Sequence, residues 1–593
     1  MKLKYITSAL MISAAMVSCN ESEFLDTPPQ GVISESVLYS SEGVGLLINS
    51  AYAALMGPEP QDWSVWLYPM TNWSFGEVRS DNAYKGGGGT GDVGDVHRME
   101  VYTVDATNGI LDGKWYHLYT SVKRCNSALR VLNECTEAQV SNLEIRKAEM
   151  KAVRAYFYFE LSRLFNQIVW IEEDVEEQDY ATIPNNEFTR DQILQKIATD
   201  LENAANVLPE KQPEIGRVNK YMAKALAAKA YLYKAYQQNA TTHAVESVNA
   251  ADMTKVVSLC DEIINSGNYG LLSDFQQLDL LAYENGKESV WAVQYSMNDG
   301  SASAGRVNWS NLLNAPQGPY SGDGFFLPSQ DLINAFKTDA NGLPLLDGSF
   351  QNENYDEIVF EDGKPVNTNI DSNVDPRLDF IVGRPNVRWK TYENTPCLDT
   401  WVRDRGSYGY HCSKRFFVSP ESSDMFNGWP WGASGLNWQI IRYADILLWK
   451  AEALIELGRQ DEARPLINQI RNRAKNSEYV TAFPSQGPNF GGYAAKYKIE
   501  EYPAAGWTQD YARKALQFET RLETAMEGER FFDLVRWGIA AETMNNYFSK
   551  EKAHRVYYID AKFQSGKDEY YPISTNQYKF SNNTYVQNPG YSF

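Results

Sequence analysis

Small residues recur at helical spacing along this chain, and that recurrence limits the fold more than any other feature. Over 148–164, Ala148, Ala152, Ala155, Tyr156, Phe159 and Leu164 fall on one face of a helix. Over 218–236, Ala223, Ala227, Ala230, Leu232 and Tyr233 do the same. Alanines on a buried face let two helix axes approach closely, so such helices pack on other helices rather than on a wide core. Trp115, Leu118, Tyr119, Val122, Cys125, Asn126, Leu129 and Leu132 mark a long amphipathic helix ahead of them. Helices over 191–208, ended by Pro209, and 252–264, stopped at Gly267, complete the N-terminal half. The design returns at 441–457, which carries Ala444, Leu447, Leu448, Ala451 and Leu454, halts at Gly458 and restarts over 461–474. That helical hairpin is close to the roughly 34-residue tetratricopeptide period, with the repeat's residue pattern partly met. Comparable hairpins around 111–165, 189–236 and 250–265 bring the expectation to four imperfect repeats, against an irregular helical bundle as the alternative.

Between Gly267 and Trp438 the helical period disappears. Short apolar runs such as Ser289 to Tyr295 predict strands set among Gly, Pro, Asn and Asp. Trp291 belongs to that run and is assigned to the core. The surrounding loops hold Trp309, Tyr320, Phe325, Phe326, Trp389, Tyr392, Trp401, Trp429 and Trp431, which argues against disorder, because disordered segments are poor in aromatics. Loops of that length in a compact protein that are not disordered are usually functional.

The N-terminus reads as an export leader. Lys2 and Lys4 precede an apolar run that ends at Val17, and Cys19 is followed at once by polar residues. The run is too short to cross a bilayer. Residues 1–18 are expected to be removed; a cysteine directly after such a leader resembles the lipobox of bacterial lipoproteins, which implies that Cys19 is lipidated, with 19–35 acting as a tether. Plain secretion, with Cys19 a bystander, is the alternative. Beyond Cys19, five cysteines without a CxxC pair indicate neither a disulfide scaffold nor a zinc ribbon, although one or two disulfides fit an exported chain. A formal charge of −21 argues against nucleic acid, which requires basic patches.

Motifs for chemistry are sparse. Gly89 to Gly94 satisfies G-x-G-x-x-G, but no apolar strand leads into it and an alternating stretch, Arg98 to Val104, follows where a helix should begin, so a dinucleotide site is rejected on context. Walker A, HExxH and GxSxG sequences do not occur, and the five histidines are scattered. A glycosidase needs only two suitably spaced carboxylates, which 76 acids neither exclude nor favour. No enzymatic activity and no cofactor is expected. In 519–537, Glu527 and Glu529 lie near Arg530, and Asp533 near Arg536, which predicts a buried ion network of structural rather than catalytic purpose.

That last segment, with its EGERFFDLVRWG run, resembles the SusD/RagB family of outer-membrane nutrient-binding lipoproteins. Other blocks agree in order along the chain: FLDTPP, DGKWYHLYTSVKRCN, KAVRAYFYFELSRLF, GRVNKYMAKALAAKAYLY, NWQIIRYADILLWKAEALIELG, YYPIS and QNPGY. One departure is Asn166-Gln167, where the family tends to have Gly-Asp. The resemblance implies a mainly α fold over 36–593. Four tetratricopeptide-like hairpins, in about 40–265 and 438–540, would form a superhelical scaffold for a loop-rich, ligand-binding insert at about 267–437. It also implies a binder of oligosaccharides, or of peptides in some branches, held by lipid on the outer face of the outer membrane. Its implied partner is a SusC-like TonB-dependent barrel. Sugar rings pack their C–H faces on aromatics and need polar groups at the rim. Following the family's arrangement, one wall is expected from the loop after the SDNA-like stretch, with Asp81, Asn82, Tyr84 and Asp92. The second is expected from Trp309, Tyr320, Trp429 and Trp431.

Overall fold

The computed structural model describes residues 35–57, 66–300, 305–361, 364–390, 394–484 and 487–593. The leader, Cys19 and the tether through residue 34 lie outside the described residues. The fold is mainly α-helical. Its framework helices are α1 (Ser41–Ala53), α2 (Gly109–Glu134), α3 (Leu143–Phe165), α4 (Arg190–Val207), α5 (Lys220–Ala235), α6 (Ala250–Asn265), α7 (Tyr443–Glu456), α8 (Gln460–Asn476) and α9 (Gln509–Glu523). Their starts follow local chemistry. Asn108, Asn219 and Asn249 accept hydrogen bonds from the first free amides of α2, α5 and α6, and Thr189 with Gln192 closes a capping box on α4. Asn166 ends α3 at φ 58°, a conformation that Asn tolerates better than most non-glycine residues.

Each helix packs on the next, from α1 on α2 through to α6 on α7, and α7 then meets both α8 and α9. The alanines explain the closeness: Ala152, Ala155, Ala223, Ala227 and Ala230 are all buried at these contacts. Two sequence expectations need correction. The 250–265 segment is a single helix rather than a hairpin; it packs on α5 before it, and its second partner is α7, which arrives only after the long insert. Ile441 belongs to a strand, since the apolar run starts helical only at Tyr443.

The insert departs and returns at one place. Strand β2 (Ser289–Val293) pairs antiparallel with β6 (Trp438–Arg442), so its two ends are tied side by side. Trp291, 1% exposed, packs edge-on against Tyr156 of α3 with ring centroids 5.2 Å apart, in keeping with its core assignment. The earlier strand β1 (Ala83–Gly86) pairs with β3 (Phe325–Pro328), which ties the N-terminal segment to the insert.

Charge holds these parts together. Glu523, at the end of α9, is fully buried and meets Arg377 of the insert at 3.1 Å, Arg442 at the end of β6 at 3.1 Å, and Arg473 of α8. Glu519, one turn earlier, takes Arg377 at 2.7 Å and Arg471 at 2.8 Å. Glu527 reaches Arg415 at 2.7 Å and Arg442 at 3.0 Å, while Glu529 reaches Arg163 of α3 at 2.8 Å and Lys229 of α5 at 2.9 Å. The expected network is therefore present but wider than its sequence neighbourhood. Asp533 does pair with Arg536 at 2.7 Å, whereas Arg530 turns to Asp81 at 2.8 Å and leaves Glu527 and Glu529 to distant partners.

Burial alone would raise the Glu523 carboxyl, yet Arg473, Arg442 and Arg377 hold it down at about 2. Glu529 is likewise held at about 2 by Arg163 and Lys229 against the same burial. A carboxylate depressed in the fold contributes stability that is present above its unfolded value and lost as pH falls through its folded one. Melting temperature should therefore drop between about pH 5 and pH 2. Glu523→Gln should flatten that drop, and Glu523→Ala at neutral pH should cost roughly 3–5 kcal/mol by stranding arginines. Thermal melts across pH check both, and an E523Q profile with the wild-type slope would refute the assignment.

Candidate functional site

The glycine loop after β1 is built around a lysine. Lys85 Nζ donates to the carbonyl oxygens of Gly86 at 2.9 Å, Gly89 at 2.9 Å and Asp92 at 2.5 Å, and lies 4.9 Å from the Phe325 ring centre. Burial lowers this ammonium to about 8. Gly87 sits at φ +77°, and a Cβ there would come within 2.5 Å of the Phe325 ring, so no other residue fits this turn. The context expected for this segment is corrected. A strand, Ala83–Gly86, does lead in, and a short helix, Gly94–Glu100, does follow. The dinucleotide reading fails for a different reason: carbonyls converge inward on a cation, whereas a phosphate needs converging amides.

Asp92 closes the loop by accepting from the Gly88 amide at 2.8 Å and pairing with Arg403 at 3.2 Å. Arg403 also reaches Asp323 at 3.5 Å, and burial raises that carboxyl. The half-exposed Asp92 stands at the surface beside exposed Gly88 and Gly91. Arg403 and Asp323 carry no local sequence signal, because Arg403 pairs with Asp323 80 residues away and with Asp92 311 residues away.

The other three candidates of this wall are scaffold. Asp81 is buried between Arg530 at 2.8 Å and Arg521 at 3.2 Å. Asn82 is buried between Glu77 at 2.9 Å and Arg521 at 2.9 Å. Tyr84 is buried, donating to Glu551 at 2.6 Å and accepting from the Gln330 amide at 2.9 Å under the Arg555 guanidinium. None of them presents a face to solvent, so their expected role as ligand contacts is withdrawn.

The second wall divides in the same way. Tyr320 is 2% exposed, donates to the Val418 carbonyl at 2.7 Å and accepts from Trp389 Nε1 at 2.8 Å. It is a support, not a platform. Above it runs the 425–434 loop, where Gly432, at φ +70°, leaves a hypothetical Cβ only 2.5 Å from Ala315 Cβ and 3.4 Å from the Tyr320 ring. That close approach seats Trp429 and Trp431 at the surface, 41% and 39% exposed. Half-buried Trp309 stands edge-on to Trp429 with ring centres 4.8 Å apart. Hydrogen bonds fix the arrangement: the Asn308 amide donates to Ser434 O at 3.1 Å, and Phe426 N to Ala433 O at 2.8 Å.

The two surface features share a floor. Segment 315–324 touches Gly432 at one end, and at the other Asp323 pairs with Arg403; between them the Gln317 amide donates to Trp401 O at 3.1 Å. Asn427 and Asp424 are exposed in the tryptophan loop itself, and Gln317 is exposed two residues beyond the Ala315 that Gly432 approaches. Glu284 is pushed up to about 7 by burial, with the Asn437 amide opposing the shift and the nearby Asp424 charge adding to it. The arrangement offers flat apolar faces with donors and acceptors beside them. Among the described residues, no three or more His, Cys, Asp or Glu side chains are grouped to hold a metal ion, and no helix is long and apolar enough to cross a membrane.

Comparison with known proteins agrees with this architecture. The model of the SusD family matches residues 287–591, and a model described as starch-binding associating with outer membrane matches 67–232. A SusD-like protein of Bacteroides ovatus is 23% identical over 100% of this chain and 91% of its own. SusD-like protein P38 of Formosa agariphila is 23% identical over 91% of this chain and 92% of its own. Among solved structures, a SusD homolog from Bacteroides thetaiotaomicron superposes with a TM-score of 0.67 at 20% identity, covering 94% of this chain and 99% of that one. Surface glycan-binding protein A from the same species, in complex with laminarihexaose, superposes with a TM-score of 0.60 at 20% identity, covering 93% and 99%. The structural likeness spans insert and helices alike, the family model takes in half of the sequence, and the chain belongs to the SusD family.

Proposed function

We propose that this protein captures oligosaccharides at the outer surface of a Gram-negative cell and passes them to a SusC-like TonB-dependent barrel. The carrying observation is the tryptophan group: Trp429 and Trp431 are exposed on a loop whose backbone is hydrogen-bonded in place, with Trp309 set edge-on beside them. Sugar C–H faces stack on such rings, and Asn427, Asp424 and Gln317 stand ready for hydroxyls. The names of relatives support the ligand class, since one solved neighbour is titled a laminarin-binding SusD-like protein. Cys19 would carry the lipid and 20–35 the tether. The helix layer would act as a tetratricopeptide-like superhelix, seating the protein over its barrel while the insert faces outward. Binding without catalysis is part of the proposal, and the absence of reducing-sugar release on prolonged incubation is its test. A panel of polysaccharides and peptides, titrated calorimetrically, separates glycan from peptide capture.

Trp429→Ala and Trp431→Ala should each weaken binding of the best-bound glycan at least tenfold, about 1.4 kcal/mol, because few anchors carry most of the energy. Their melting temperatures should stay near wild type. Tyr84→Ala and Tyr320→Ala should behave oppositely, losing stability on the scale of a few kcal/mol through the cavity and the stranded polar partners they leave. Titration paired with a melt for all four decides the matter. Normal binding by both tryptophan variants would remove the platform.

Cys19→Ala should yield a folded, ligand-competent protein that no longer fractionates with the outer membrane. Sedimentation of the variant with membranes at high salt would contradict the anchor.

A further inference from the structure

Two thiols in the insert are buried against each other. Cys397 Sγ lies 3.5 Å from Cys412 Sγ, and both residues are withdrawn from solvent. Their other polar contacts are long: Cys397 Sγ is 3.9 Å from the Leu398 carbonyl, and Cys412 Sγ 3.9 Å from that of Gly383. The backbone holds the pair in place from both sides. Cys412 opposes Gly383 in a two-stranded ladder, and the Cys397 amide donates to Val387 O at 2.8 Å while its carbonyl accepts from Asn386 N at 2.8 Å. A Cβ on Gly383 would meet Cys412 Sγ at 2.7 Å, so the glycine makes the space the sulfur fills. Metal binding by the pair has no support, since the adjacent His411 gives its Nε2 to Asp356 at 2.8 Å.

The remaining cysteines of the folded body have no such neighbour. Cys125 and Cys135 are ten positions apart along α2 and its cap, about 15 Å by helical rise, and Cys260 lies on α6.

We propose that Cys397 and Cys412 form a disulfide in the exported protein, stapling the 398–411 segment that supplies Arg403 to the surface beside the glycine loop. A disulfide needs its sulfurs about 2.05 Å apart, so the present separation leaves about 1.5 Å to close. Burial also pushes the Cys397 thiol well up, so the closed fold is a poor nucleophile and oxidation precedes closure of the segment. One thiolate attacks the disulfide of an extracytoplasmic thiol–disulfide oxidoreductase, and the second then displaces it. The S–S bond forms, two protons leave, and two electrons reduce the oxidant to its dithiol.

The bond requires an oxidising compartment, so the proposal rests on the exported placement given above, and two arms separate them. Trypsin cleaves after Lys390, Arg403, Arg405 and Lys414, placing the cysteines on the separate peptides 391–403 and 406–414. In the first arm, denatured protein is refolded with reduced and oxidised glutathione. Those two peptides should run joined in mass spectra until reduced, with Cys125, Cys135 and Cys260 open to alkylation. In the second, protein recovered from the cell surface is alkylated under denaturation and digested without reduction, with the same result expected. Reductant should lower the melting temperature by several degrees in the wild type and leave the C397S/C412S double variant unmoved. Free thiols or a different pairing after refolding overturn the proposal. Surface protein that lacks the bond overturns the proposal, whereas a bond formed on refolding in a protein that never reaches the cell surface keeps the pairing and overturns the exported placement.

Discussion

The contact of Glu523 with three arginines is the constraint on which the rest of the structure depends. One carboxylate draws together Arg377 from the insert, Arg442 from the strand that ends it, and Arg473 from α8, and carries them on the last turn of α9. Hydrophobic packing alone would not specify this junction, because alanine-lined helices tolerate sliding and an irregular insert has no period to register it. Charges buried this deeply are costly unless every partner is in place, so any other docking of the insert strands several at once. The same logic extends outward through Glu519, Glu527 and Glu529 to the helices α3 and α5.

This rigidity reaches the surface in two steps. The β2–β6 ladder and the arginine cluster fix where the insert begins and ends. Within it, Tyr320, Trp389 and Trp401 make a buried aromatic layer, Trp389 standing 5.1 Å from Trp401 and 6.0 Å from Tyr320. Segment 315–324 lies on that layer, and the tryptophan loop lies on the segment through Gly432. A ligand meeting Trp429 and Trp431 therefore finds them already oriented and pays little to order them.

How much of this was legible follows from the range of each signal. Helices α2 to α8 were visible because a 3.6-residue period and capping residues are local, and α6 was misjudged only in its partner, which the period does not encode. The core placement of Trp291 came from the apolar strand around it. The walls of the site were harder. Asp81, Asn82 and Tyr84 sit two or more residues before a surface loop and carry ligand-like side chains, but their partners Arg521, Arg530 and Glu551 come from the far end of the chain. No spacing rule reports such a contact. Trp429 and Tyr320 are equally aromatic and equally set among glycines, and only the packing of Gly432 over Tyr320 decides which one is covered. The glycine motif was dismissed for missing elements that are in fact present; the decisive evidence was the direction of its carbonyls, which sequence does not carry.

The division of labour between charge and aromatic rings suits a binder of neutral, hydroxylated ligands on an acidic protein. Most of the arginines named here are committed to internal carboxylates, and Arg403 at the surface is shared between Asp92 and Asp323, so these cations are not left over to bind an anionic ligand. Selectivity must then come from shape and hydrogen bonding at close range. On the proposed reading those contacts would come from loop tips at 88–91, 317–319 and 424–431, whose exposed residues can be exchanged without disturbing the buried ion network. A fold whose register is fixed by buried charge can vary its reading surface freely. Relatives that keep the architecture at about one-fifth identity are the expected consequence of that separation.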